Sequence, residues 1–151
     1  MKTYHAILSI IISAVPVIAI NHAHAGTACC LGEPHGVAKA STGIGLSAPI
    51  AANVSEDAAW NAYEFERDGI QYLQINDRNG NVRAAIGNIG DTFWTLPVGI
   101  DANRVSTPQQ RLSIPNGSKR HEVYRRPNVV LAAYETANGI IWSIEAPDGT
   151  R

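Results

Sequence analysis

Arg67 to Ile86 reads RDGIQYLQINDRNGNVRAAI, and this stretch decides the fold. Asp68-Gly69 is a turn, Ile70 to Ile75 is extended, and Asp77-Arg78-Asn79-Gly80 is a second turn ahead of Val82 to Ile86. Asn and Gly accept the positive φ values that tight hairpin turns demand, so Asn79-Gly80 between two apolar runs predicts a hairpin. On the N-terminal side, Tyr63 and Phe65 alternate with Glu64 and Glu66, the two-residue period of a half-buried strand. On the C-terminal side, Asn88 to Asp91 is another turn and Thr92 to Val98 another strand. Pro97 marks that strand's end or an edge, because it cannot donate to a ladder.

Further along, Gly99 to Ser118 is the least regular stretch, with Pro108, Pro115 and Asn116-Gly117. Strand character returns at His121 to Arg126. Asn128 to Glu135 and Ile140 to Glu145, joined through Asn138-Gly139, form a second hairpin, and the tail after Ala146 is turn-like. About seven short strands with frequent turn signals, and no long amphipathic helix, predict an all-β domain: a small antiparallel sandwich or barrel. The sequence from Arg67 can be laid over that from Arg126 without gaps, so that the arginine, the Asn-Gly turn and several apolar positions coincide. Hairpins draw on a small menu of residues, so convergence is the simpler explanation and a duplicated half-domain the alternative.

The other end of the chain is different in kind. Lys2 precedes an apolar run, Ala6 to Ile20, that is too short to span a bilayer's hydrocarbon core and carries Pro16. Ala23-His24-Ala25 then offers the small-x-small pattern of a signal-peptidase site, so residues 1–25 are expected to be a signal peptide cleaved after Ala25. Lipid attachment at Cys29 is a rival reading, but Gly26 stands where a lipobox has a branched aliphatic residue. Residues 26–56, rich in Gly, Ala, Ser and Pro, read as a flexible arm with one short strand around Ile44 to Leu46. Within it Ser55 could cap a helical turn ahead of Trp60. Residues 57–151 are the expected β domain.

Removing the leader leaves about 126 residues, enough for one domain with its own core. The formal charge is -1 for the whole chain, and such a near-neutral balance argues against a nucleic-acid partner. Cys29 and Cys30 are adjacent and are the chain's only cysteines. In an oxidising compartment they are candidates for a vicinal disulfide, a tether to another chain or a mixed disulfide. His35 lies near them, but two adjacent thiols and one imidazole are a poor ligand set, so no metal or other cofactor is expected.

Candidate chemistry is sparse. Asp77-x-Asn79-x-Asn81 resembles the opening of a calcium loop, but Val82 and Asn88 stand where that loop needs Gly and Glu. Glu64 and Glu66 share a strand face at a spacing a glycosidase could use. His121 could centre a triad whose members are distant in sequence. No nucleophile elbow, HExxH, phosphate loop or CxxC is present, so no catalytic residue is assigned. Trp60, Trp94 and Trp142 could be a sugar-stacking platform or core.

The distinctive feature is charge asymmetry. Arg104, Arg111, Lys119, Arg120, Arg125 and Arg126 face one acid, Glu122, within residues 104–126, whereas residues 56–68 carry five acids against Arg67. The charges could pair across strands, or Lys119 to Arg126 could be an edge strand guarded by its charge. The functional reading is a binding surface of Arg120, Tyr124, Arg125 and Arg126 for an acidic envelope protein or anionic polymer. In a regular strand Arg120, Glu122, Tyr124 and Arg126 share one face. The expectation is a periplasmic or secreted, non-enzymatic binding module of the inhibitor or immunity type. The alternatives are an envelope-polymer hydrolase and a structural component tethered through its cysteines.

Overall fold

The structure is a computed structural model that describes residues 39–147. The expected leader, its cleavage site, Cys29, Cys30 and the start of the arm lie outside the described residues. The described chain is all-β. Its strands are β1 (Trp60–Arg67), β2 (Ile70–Asp77), β3 (Val82–Ile89), β4 (Thr92–Thr95), β5 (Val105–Ser106), β6 (Lys119–Arg126), β7 (Val129–Thr136) and β8 (Gly139–Glu145). They form two four-stranded sheets, β1-β2-β3-β4 and β5-β8-β7-β6, and neither closes into a barrel. Every pairing is antiparallel except β5 with β8. The eight strands exceed the expected seven because β5 is a two-residue strand inside the irregular stretch, too short for any periodicity to announce.

Three local expectations change. Ile44 to Leu46 is a turn closed by the Leu46 amide on the Gly43 carbonyl, 3.1 Å. Ser55 to Ala58 forms a turn rather than a helix: the Ser55 hydroxyl accepts from the Asp57 amide at 3.3 Å, as a cap would, while it and the Glu56 amide donate to the Val123 carbonyl at 3.1 and 2.8 Å. β4 stops at Thr95, ahead of Pro97.

One hydrophobic core joins the sheets. Leu73, Ile75, Ala84 and Ile86 of the first sheet cluster with Leu131, Ala133, Trp142 and Ile144 of the second. The two hairpins that resemble each other in sequence supply these residues from corresponding strands. β1 and β6 both span eight residues, as do β2 and β7. Each pair is joined by two residues, Asp68-Gly69 or Pro127-Asn128. The halves therefore repeat as three-stranded meanders.

Both sheets are finished by irregular chain. Residues 40–54, within the expected arm, run across the first sheet's other face. Ala40 bridges to Phe65 and Asn53 to Tyr63. Gln74 and Asn76, both fully buried, anchor this segment. The Gln74 carbonyl oxygen accepts from the Gly45 amide at 2.6 Å, while its amide nitrogen donates to the Leu46 carbonyl at 2.8 Å. Asn76 donates to the Ser47 carbonyl at 3.0 Å. Buried amides must be paired to be tolerated, and here the partners are backbone groups of the strap.

Behind β3, Asp101 ties the stretch after Gly99 to the core. Its Oδ2 accepts from Arg83 Nε and Nη2 at 2.8 and 2.7 Å and from the Trp142 indole at 3.1 Å. Gly99 makes this possible, with a φ of +99° and a Cβ position that would sit 2.5 Å from the Arg83 backbone.

Candidate functional site

β6 is an edge strand, and its course decides where the expected binding residues go. The ladder with β7 shifts at Val123, so that Glu122 pairs with Ala132 and Tyr124 with Leu131. This bulge inserts one residue and reverses the alternation beyond it. The expected shared face of Arg120, Glu122, Tyr124 and Arg126 is thereby split. Tyr124 and Arg126 join His121 on the core-facing side. Arg120, Glu122 and Arg125 face the other way.

The basic strand is matched by acids from within the chain. Arg120 holds Glu145 through Nε and Nη2 at 3.1 and 2.8 Å. Arg125 grips both carboxylate oxygens of Glu122, and that pairing is the chief reason the Glu122 carboxyl is held below its usual range. Arg126 Nη2 lies 2.8 Å from Glu64 Oε1, and its guanidinium stacks 4.8 Å from the centre of the Tyr124 ring. Tyr124 donates to the same Glu64 oxygen at 2.5 Å. Burial, followed by the hydrogen bond to Glu64 and its charge, pushes the Tyr124 hydroxyl well above the ordinary value, with Arg126 opposing.

Glu64, Tyr124 and Arg126 line a cleft of about 390 Å³ to which both sheets contribute. Residues of three turns, Gly69, Gly90-Asp91 and Pro127-Asn128, also line it, so it opens at the end of the domain where those turns gather. Leu73, Ile86, Phe93, Val129 and Ile144 give it an apolar surface, and Gln71, Asn88 and Asn128 add amides. Most ligand sites have this composition: apolar walls with a few convergent polar groups.

The other candidates fall elsewhere or apart. Glu66 shares a face with Glu64 but is half exposed and lies 3.8 Å from Lys39. His121 stands outside the cleft, its Nδ1 3.4 Å from Asp57 and its Nε2 3.1 Å from Glu135. The Nε2 approach is short yet poorly directed, and the atom makes no hydrogen bond. Asp77 organises its turn by accepting from the Asn79 and Asn81 amides at 3.0 and 2.9 Å. The Asn81 side chain, the first of several hydrogen-bond donors, holds the Asp77 carboxyl below its usual range. The tryptophans form no common exposed platform, because Trp142 is fully buried. Trp60 meets the buried Trp142 edge-on at 4.9 Å, and Trp94 pairs with Gly87, where an added Cβ would strike its ring.

Sequence reading singled out Glu64 and Tyr124 separately and missed Gln71, Asn88 and Asn128. One signal was available: Gln71 ends the inward-facing alternation Gln71, Leu73, Ile75, beside a turn. No group of three His, Cys, Asp or Glu residues suited to a metal ion occurs among the described residues. Nor is any helix among them long and apolar enough to cross a membrane. Comparison with known proteins adds no name to this geometry, since no family model, curated protein or solved structure matches the chain.

Proposed function

We propose that the protein is an exported, non-enzymatic binding module whose ligand enters the cleft beside Glu64, Tyr124 and Arg126. The observation that carries this reading is the cleft itself: apolar walls, convergent amides, and a charged cluster whose members are bonded to each other. Catalysis would need a base or nucleophile held ready. Here the Tyr124 proton is directed at Glu64, and Glu64 also accepts from Arg126. The same pairing weakens the case for a basic surface. Arg120, Arg125 and Arg126 already have carboxylate partners, so an acidic protein or anionic polymer would have to compete with Glu145, Glu122 and Glu64. Export rests on the leader sequence, Met1 to Ala25, which makes the periplasm or the exterior the proposed location.

The test is NMR of the isotopically labelled protein mixed with an extract of its own cell envelope. The side-chain amides of Gln71, Asn88 and Asn128 are built-in reporters. Shifts concentrated at those three are the expected result. Shifts concentrated at Arg120 and Arg125, or none at all, would overturn the cleft as the binding site.

A further inference from the structure

The geometry points to a neutral oligosaccharide as the ligand of this cleft, an inference that rests on the cleft being the binding site. Each ligand class makes a different demand on the lining. An anion needs a free cation, but Arg126 Nη2 is held by Glu64, its Nη1 donates to the Arg125 carbonyl at 2.9 Å, and Lys39 sits beside Glu66. Asp91 and Glu64 would further repel an anion. A cation finds Glu64 already neutralised by Arg126, whose own charge opposes it, and is left with the exposed Asp91 as its one carboxylate in the lining.

A purely apolar ligand would strip water from Gln71, Asn128 and the Asp91 carboxylate. None of these side chains has a hydrogen-bond partner among the described residues. Removing water from such groups without replacing its hydrogen bonds is unfavourable. An extended peptide needs a strand edge to pair with, and the neighbouring edges are occupied. Gln109 accepts from the Phe93 amide of β4 at 3.1 Å and donates to the Asp91 carbonyl at 2.9 Å. On β6, the Val123 carbonyl is taken by Ser55 and Glu56, and the strand ends at Arg126, followed by Pro127, which has no amide hydrogen.

What remains is a ligand with an uncharged rim of donors and acceptors around an apolar face. A pyranose has that construction. Its hydroxyls suit the two-way hydrogen bonding of Gln71, Asn88 and Asn128 and the acceptor oxygens of Asp91, while its C–H face suits Phe93 and the aliphatic side chains. The open end beside the three turns leaves room for a chain to continue beyond the sugar that is held.

The experiment titrates the labelled full chain with four probes: oligomers of glucose and of N-acetylglucosamine, an oligogalacturonate, and an oligoglutamate peptide. The expected result is saturable shifts at Gln71, Asn88 and Asn128 with a neutral oligosaccharide. Binding should weaken about tenfold in Gln71→Ala and in Asn128→Ala, the loss expected for one hydrogen bond. Both side chains are exposed, so melting temperatures should not move. Saturable shifts at the same amides with only the acidic probes would overturn the saccharide assignment and leave the cleft standing. If no probe moves them while the envelope extract does, the ligand is of another class and the saccharide assignment likewise fails. If neither probes nor extract move them, the cleft itself fails.

Discussion

Tyr124 and Glu64 lie on different sheets and are joined by one hydrogen bond of 2.5 Å, the phenol donating to the carboxylate. Glu64 is nearly buried, so the bond links β1 to β6 at the mouth of the cleft. It also sets how the domain should respond to alkali.

Tyr124→Phe should cost about 1.5–3 kcal/mol at neutral pH, the range for losing a hydrogen bond to a charged group. The pH dependence has a definite sign. Folding raises the Tyr124 pKa, so its contribution is fully present below the ordinary value of 10.0 and is lost as pH rises beyond it. Tyr134 is raised as well, by burial and then by its bond to Glu145. Urea midpoints from pH 7 to 11 should therefore fall less steeply in Tyr124→Phe than in the parent. Parallel curves would refute the role given to this hydroxyl.

Asp101 carries three hydrogen bonds on one oxygen, and removing it leaves Arg83 with the weaker Asp77 contact at 3.9 Å and the face of Trp60 at 5.6 Å. Asp101→Ala should destabilise the domain by about 3 kcal/mol, as expected when one partner of a largely buried ion pair is deleted. Asp101→Asn keeps an acceptor for the indole and should lose less. Equal losses in chemical denaturation would mean that the charge is unimportant.

Gly99 and Gly117 both have positive φ, but only Gly99 presses against backbone. Gly117→Ala should cost about 1 kcal/mol, the left-handed penalty alone. Gly99→Ala meets the Arg83 carbonyl as well and should cost at least about 3 kcal/mol. Thermal melts of the two variants side by side decide the matter, and similar losses would contradict the close approach.

The strap over the first sheet hangs on two amides. Gln74→Leu should leave the Gly45 amide without its side-chain acceptor and the Leu46 carbonyl with only the longer Asn76 contact at 3.3 Å. Hydrogen exchange at Gly45 and proteolysis between residues 41 and 52 should speed up by about tenfold or more, since local opening no longer breaks these bonds. Unchanged exchange at Gly45 would show that other contacts hold the strap.

How much of this was legible in the sequence follows from distance along the chain. The Asp68-Gly69, Asn79-Gly80 and Asn138-Gly139 turns were readable because the residue that needs positive φ, or tolerates it, is itself the signal. Strand alternation was readable wherever no bulge intervened. At Val123 it failed, because a single extra residue in β6 leaves no trace in composition yet reverses the face of everything after it. Gln74 and Asn76 show the same limit. Their polarity suggests a solvated face, and only the strap, some 28 residues away, makes them buried.

The all-β class and most strand and turn positions were set by the sequence alone, since these depend on neighbours within a few residues. The sequence also marked Glu64 and Tyr124 as residues of interest, but as separate features. Tertiary structure alone decided that they meet, that the arginines of β6 face internal acids, and that amides of β2, β3 and the Pro127-Asn128 turn gather around one cleft. Those outcomes depend on which residues of one sheet come to lie opposite the other, a relationship set by packing across the core that no local pattern in the chain encodes.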